Sequence, residues 1–600
     1  MRFVDLPKEY EPAAEIISRR FSLDSLDTVL TFRMSEGMSV SYDSDSAVIA
    51  CNTKNRFVRL LGIFAKEYKK GSFFVEEAPS FETLSCMMDV SFGSPLTVKS
   101  TKEWLEYMAL FGFNQLQFYM EDMYELEGRP YFGHMRGRYS FDELKAIDDY
   151  AYSLGIEVVP CMQTLGHMGN YLKWAEASDV KDTSGVLLCE SEKTYSFIEK
   201  MLLTASAPFR SKKIHVGCDE TYGIGSGKYL KLNGYKEPME LYLGHINRVA
   251  EICKKHGLEP MMWSDMLCSS FSKGGGNWNP DTDIPEYVKD RLPQNMKLVL
   301  WHYGQIKGAE AYMVPKHRAL GKEPMFAGAS HIWQSYLPDY YFSLMATESS
   351  LSECKKLGIK EVMITVWCYR QSVFQAALLD LCQYGELTYR ENCDELASRF
   401  EFLTGASYEA FLKMSDLAWL YKTDEIKNEY VFGRVETGNA YIKTDILLNV
   451  MLKEWLADPR EDYLAAAAEY FRPLAEREGS WQFLYEYCYC LFEMMRLKSA
   501  IVERLTPAYE SGDRATLAHI KDDILPAYSE ILERLSESHA YHKDTYLRPF
   551  GAELMDAGYG KMKERAKTAR RRIDAYLSGK IDKIEELCEK RLDHQWGIFF

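Results

Sequence analysis

Between residues 85 and 395 short apolar strings alternate with amphipathic stretches. The strings are Cys86–Val90, Gln115–Met120, Ile156–Met162, Lys213–Cys218, Pro260–Trp263, Leu298–Trp301, Met325–Ala329 and Glu361–Trp367. Between them lie 3.6-residue patterns such as Ser100–Phe111, Ser140–Leu154, Pro238–His256 and Tyr340–Leu357. Continuous short apolar runs suit strands covered on both faces, and the intervening stretches suit helices. Eight such repeats predict an α/β fold, a (β/α)8 TIM barrel, rather than an open doubly wound sheet with fewer strands. Residues 1–84 mix short apolar runs (Ala47–Cys51, Phe57–Phe64) with polar turns and predict a small α+β domain. Beyond residue 396 only helical periodicity remains, over Glu461–Glu478, Ser480–Leu505, Arg514–Glu537 and Lys561–Leu592. The predicted domains are therefore 1–84, a barrel at 85–395 and an α-helical C-terminal domain at 396–600.

Composition narrows the function. A 600-residue chain with 46% hydrophobic and 27% charged residues folds as a soluble globular protein. The net charge of −16 repels phosphate backbones, so nucleic acid is not an expected partner. Arg570–Arg572 lies inside a helical pattern and reads as a solvated helix face. No apolar window is long enough to span a bilayer, and the first residues lack the pattern of a signal peptide, so a cytoplasmic location and no membrane partner are expected. The 14 cysteines are scattered through apolar strings without C-x-x-C spacing, which suits buried thiols and predicts no metal site. The aromatic content of 14% suits sugar-facing surfaces, since apolar C–H faces pack on rings. The apolar end Trp596–Phe600 suits docking onto another surface.

Barrel chemistry sits where strands end. The fourth string ends in Asp219–Glu220. Of the four Asp-Glu pairs in the chain, this one alone terminates a strand; Asp142–Glu143, Asp394–Glu395 and Asp424–Glu425 fall in or near helical segments. Two adjacent carboxylates repel, and such a pair can divide ionised and protonated tasks. Gly223-Ile-Gly225-Ser-Gly227-Lys228-Tyr229 superficially looks like a phosphate loop, but it lacks the first glycine and the hydroxyl residue after lysine. Its glycines suit a loop bending round the acid pair. Gly274–Gly276 reads as a flexible loop.

The string His215-x-Gly217-x-Asp219-Glu220 resembles the H-x-G-x-D-E signature of family 20 glycoside hydrolases, the β-N-acetylhexosaminidases. Glu121–Asp122 after strand two and Gly166–His167 after strand three resemble further family positions, with Leu165 in place of a proline. Glu127–Tyr139 is similar to a cytoplasmic-type bacterial subgroup that joins a small N-terminal domain and barrel to a helical C-terminal domain. The resemblance implies a retaining exo-glycosidase acting on a terminal β-linked N-acetylhexosamine of an oligosaccharide or glycoconjugate. The substrate's 2-acetamido oxygen attacks the anomeric carbon, outside the usual two-carboxylate scheme. Glu220 then protonates the leaving oxygen and activates water, while Asp219 stabilises the developing oxazolinium; no cofactor is needed. Substrate contacts are expected from Trp263, Trp301, Trp333 and Trp367 at successive strand ends, with Tyr303 donating to the acetamide oxygen, and from Asp122, His167, Tyr369 and Arg370. His215 reads as a residue supporting the site rather than touching sugar.

Two positions depart from the family pattern. Phe92 occupies the place of an arginine that grips outer hydroxyls, and Tyr369-Arg370 follow Trp367 where an acidic residue is usual. The terminal sugar is thus expected to be modified or extended at its outer edge, unless another loop residue replaces the arginine. Two rival readings remain from sequence alone: a non-catalytic glycan-binding barrel, and a barrel glycosidase using two separated carboxylates. Gluco or galacto preference and the linkage are not encoded legibly. The helical domain suits a homodimer contact or a cap over the barrel mouth.

Overall fold

The computed structural model describes residues 1–273, 276, 279–333, 336–418, 429–432 and 434–593. Asp424–Glu425, most of the Gly274–Gly276 run and the Trp596–Phe600 end lie outside the described residues. The chain folds as two compact units. The first comprises Met1–Ser330, Ser343–Trp367 and Ala377–Thr404, and the second His331–Phe342, Cys368–Ala376 and Gly405–Phe600.

The first unit opens with a five-stranded mixed sheet of β1 (Arg2–Val4), β2 (Val29–Met34), β3 (Met38–Asp43), β4 (Ser46–Cys51) and β5 (Phe73–Glu77), in the order β1-β2-β4-β3-β5. Side chains of β2, β3 and β4 alternate between buried and more open positions, as a sheet with one covered face requires. Helix Lys54–Glu67 buries Phe57, Leu60, Leu61 and Phe64. Its Arg59 is fully buried. Its Nε and an Nη donate to Glu77 at 2.6 and 2.9 Å, and an Nη donates to Glu386 at 3.1 Å. Arg390 and Arg399 complete the cluster, on Glu77 at 3.0 Å and on Glu386 at 2.7 Å. This network ties the sheet's last strand to the helix that closes the barrel.

All eight predicted strings form strands: β6 (Thr83–Asp89), β7 (Gln115–Tyr119), β8 (Glu157–Cys161), β9 (Lys213–His215), β10 (Glu259–Trp263), β11 (Lys297–Trp301), β12 (Met325–Ala329) and β13 (Glu361–Val366). They pair in parallel round a closed barrel, with β13 against β6. The expected helices follow them within a few residues of their predicted ends. Ser140 and Glu143 form a reciprocal capping box, with Asp142 and Glu143 in the first turn as expected for that acidic pair. Met87, Tyr119, Val159, Cys161, Met261, Trp263, Val299, Met325, Ala327 and Met363 fill the barrel. These residues lie on one period-2 face of each strand, which sets what projects from the strand ends.

The second unit is helical among its described residues, with long helices Glu461–Glu476, Gln482–Ser511, Leu525–Tyr546 and Ala552–Leu577. Two predicted spans differ. Arg514–Glu537 is divided by a π segment at Ile520–Ile524, and the last long helix runs Ala552–Leu577 instead of Lys561–Leu592. Gly551 and Gly579, both at positive φ, bracket it, and a left-handed glycine just past a helix is its usual stop. Arg570 and Arg571 are exposed, and Arg572 pairs with Glu586 at 3.0 Å, as a solvated face would have it. No helix among the described residues is long and apolar enough to cross a membrane.

Candidate active site

The chain leaves β7, β8 and β9 through residues in the left-handed region. Glu121 has φ +47°, His167 +51°, Cys218 +69° and Glu220 +43°, alongside Gly217 at +71°. A non-glycine residue held there costs on the order of 1–3 kcal/mol, and such positions gather at working sites. At Gly217 a Cβ would sit 2.0 Å from Gln163 Oε1, so this position requires glycine for space as well as for φ. His215 is fully buried, its Nδ1 accepts the Gly217 N–H at 3.1 Å, and its ring lies 4.5 Å from that of Trp263. Burial lowers its pKa to about 3, so it is neutral and supports the turn from beneath, as the sequence suggested.

Asp219 and Glu220 are solvated differently. Asp219 is 8% exposed, whereas the Glu220 side chain retains 43% of its surface. Gln163 Nε2 donates to Asp219 Oδ1 at 2.8 Å, while His167 Nε2 stands 3.1 Å from Asp219 Oδ2 and 3.5 Å from Glu220 Oε2. Burial works against ionisation at Asp219, but His167 and Gln163 outweigh it and hold the carboxyl below its ordinary value. Burial likewise opposes a charge on His167; Asp219, Glu220 and Glu121 prevail and raise it to about 11. At neutral pH the site is an Asp219 carboxylate against a His167 imidazolium, with the more open Glu220 beside both. A linked chain extends this arrangement: Gln163 also donates to Tyr119 at 2.9 Å, the Tyr119 hydroxyl to Glu121 at 3.3 Å, and Asn170 to Glu121 at 3.2 Å.

The aromatic wall comes from β11 and β13. Trp301 and Trp367 are half-buried and pack on the barrel core with Phe92. The Tyr303 hydroxyl accepts the Trp367 indole N–H at 3.0 Å, and the Tyr303 ring lies 4.9 Å from that of Trp301. Burial, helped by the charges of Asp219 and Glu220, raises the Tyr303 phenol far above its ordinary range, so it remains protonated.

The first unit therefore brings together Asp219, Glu220, His167, Tyr303, Trp301 and Trp367. Trp263 is 1% exposed and belongs to the barrel core. Asp122 is 2% exposed, and its carboxylate is taken up by Arg136 and by the Gly133 N–H at 3.3 Å. Trp333, Tyr369 and Arg370 fall in segments of the second unit. There Trp333 stacks on His331 at 4.9 Å and its carbonyl accepts Gln371 Nε2 at 3.1 Å, Tyr369 is half-buried and Arg370 is exposed. Phe92 lies 6.0 Å from Trp367 and 6.3 Å from Tyr119, ring to ring. Beside it Arg136, from the loop after β7, donates to the Ser91 carbonyl and stands 3.8 Å from Glu121.

Sequence reasoning marks the Glu121–Asp122 pair but places the substrate contact on Asp122, and it gives no role to Gln163 or Asp265. Strand alternation could have found them. Tyr119 and Glu121, Cys161 and Gln163, and Trp263 and Asp265 are each two residues apart, so each polar residue continues an inward-facing row. The glycine-rich loop after β9 closes on protein: Asp182 accepts the N–H groups of Gly225 and Tyr229 at 2.9 and 2.7 Å. Among the described residues no group of three or more His, Cys, Asp or Glu side chains is placed to hold a metal ion.

Comparison with known proteins bears on the barrel and on the helical C-terminal region. Residues 84–312 match the family model described as the glycosyl hydrolase family 20 catalytic domain, and residues 441–596 match the glycoside hydrolase 20C C-terminal domain. The family match thus defines an enzyme of the glycoside hydrolase class. Within that class the chain belongs to family 20, the β-hexosaminidases. It is 29% identical over 265 residues to hexosaminidase D of Bos taurus, covering 41% of this chain and 72% of that one. It is 26% identical over 252 residues to the Homo sapiens protein of the same name, covering 40% of this chain and about half, 49%, of that one. Its fold is similar to the family 20 exo-β-N-acetylglucosaminidase of Vibrio harveyi (TM-score 0.52, 14% identity, 69% of this chain and 74% of that one). It is also similar to the β-N-acetylhexosaminidase of Streptomyces coelicolor A3(2) (TM-score 0.51, 16% identity, 68% and 92%).

Proposed function

We propose that the protein is a retaining exo-glycosidase that releases a terminal β-linked N-acetylhexosamine by substrate-assisted catalysis. The observation that supports this most is the unequal setting of the acid pair. A buried carboxylate locked between Gln163 and an imidazolium suits a group that stays ionised, while the exposed neighbour suits one that exchanges protons with substrate and water.

In this reading the acetamide oxygen attacks the anomeric carbon and the glycosidic C–O bond breaks. Glu220 delivers its proton to the departing oxygen. Asp219 accepts the acetamide N–H and stabilises the positive charge that grows on that nitrogen as the oxazolinium forms. Glu220, now a carboxylate, takes a proton from the water that reopens the ring with overall retention. The nucleophile is part of the substrate, so holding it in place supplies the effective molarity of an intramolecular reaction. Trp301, Trp367 and Tyr303 form the box for the acetamido group, with Tyr303 donating to its oxygen. His167 fixes Asp219. The outer edge of the sugar meets Phe92 and the Glu121–Arg136 pair, an arrangement that suits a hexosamine substituted or extended at its outer hydroxyls.

Substitution of Glu220 tests the assignment. Glu220→Gln is expected to lower kcat on aglycones of high pKa by about 10²–10⁴-fold, the usual worth of a positioned acid. Nitrophenyl-type aglycones, which leave without a proton, are affected far less at the first step. Equal loss across the leaving-group series would contradict the role given to Glu220.

A further inference from the structure

The row that carries Trp263 continues to Asp265, at the start of helix Asp265–Ser269. Asp265 is 4% exposed, and its Oδ2 accepts the backbone N–H of Glu220 at 3.0 Å. That N–H belongs to the residue at φ +43°, a conformation a glutamate does not adopt without support. Asp265 is itself fixed from behind. Ser264 donates to the Val299 carbonyl at 3.1 Å, and His317 stands 2.7 Å from the Ser264 hydroxyl. The chain approaching Asp265 is thus anchored to β11 and to helix Glu310–Ala319 before it reaches the turn.

We infer that Asp265 is a positioning residue for the proton donor: its carboxyl oxygen pins the left-handed turn that presents Glu220 beside Asp219 and His167. The inference rests on the reading of Glu220 as that donor and adds to it a residue from another strand. Asp265 acts through the main chain of residue 220, and its carboxyl also takes a hydrogen bond from Trp301. Burial and the neighbouring Asp219 charge push its carboxyl up to about 8. At neutral pH it is therefore an uncharged acceptor, close in charge and shape to an asparagine amide.

That equivalence supplies the test. The full-length protein and its Asp265→Ala, Asp265→Asn and Glu220→Gln variants are assayed on β-N-acetylhexosaminides whose aglycones range from alkyl alcohols to dinitrophenol. Asp265→Ala is expected to lose about 100-fold in kcat/KM on alkyl aglycones and under about 10-fold on dinitrophenyl, because kcat/KM reports the bond-breaking step, where a misplaced acid matters only if the aglycone needs a proton. Asp265→Asn, which keeps the oxygen acceptor, is expected to stay within about 3-fold of the parent at pH 7. A uniform loss across aglycones in Asp265→Ala, or an Asp265→Asn variant as impaired as Asp265→Ala, overturns the inference while leaving the donor assignment in place. A Glu220→Gln variant without leaving-group dependence overturns both.

Discussion

At the scale of single residues, the site runs on contrasts between neighbours. Asp219 and Glu220 share a backbone but not an environment, and His167 converts the buried one into half of an ion pair. Asp265 is the costliest member. Its carboxyl titrates near the ordinary 3.8 when unfolded and at about 8 when folded. The native state thus retains a proton that the unfolded chain releases between those values, and stability falls as pH rises from about 4 to about 8. Asp265→Asn removes this linkage. Relative to its gap from the parent at pH 4, the variant is expected to gain stability up to pH 8, one pKa unit being worth about 1.4 kcal/mol. Denaturant midpoints of the two proteins at pH 4, 6 and 8 check it; a gap independent of pH contradicts it. An active-site residue that the fold would rather lose is one held for another purpose.

At the scale of elements, what the sequence revealed and what it hid have one cause. Most of the eight strands are legible because they are buried on both faces and read as nearly unbroken apolar runs; β7 and β9 carry polar residues (Gln115, Gln117, His215) within theirs. That same burial hid which face points inward, since an unbroken run shows no alternation. The strand-end tryptophans were therefore grouped together, although Trp263 lies one layer deeper than Asp265 and is sealed in the core. The sequence likewise does not separate Asp122 from Glu121, which continues the inner row of Tyr119. Asp219 and Glu220 escaped this ambiguity because a motif marked them directly. The Arg59–Glu77–Glu386 network was illegible for another reason: its members are 327 positions apart at the extreme and carry no local pattern. Glu386→Ala is expected to destabilise the first unit by about 3–5 kcal/mol, because it strands buried Arg59 and Arg399 without their shared anion. Thermal or denaturant unfolding reads this out. KM is expected to stay near the parent value in whatever fraction remains folded.

At the scale of the whole molecule, the chain combines a barrel unit that contains the acid pair with a helical unit whose segments include Trp333, Tyr369 and Arg370. We propose the division at 1–84, 85–395 and 396–600 as the functional one, with the small sheet buttressing the barrel through the buried ion network. The barrel fold alone would permit many chemistries; the family match makes it a hydrolase, and the unequal acid pair makes a nucleophile supplied by the substrate the economical choice. Inhibition by a thiazoline mimic of the cyclised sugar tests this most directly. Such a compound carries the fused five-membered ring that the acetamido attack would form, and a transition-state-like ligand binds far more tightly than substrate. Competitive inhibition well below KM, lost in an Asp219→Ala variant, is the predicted result. Turnover of β-N-acetylhexosaminides that the thiazoline leaves undisturbed would contradict the account.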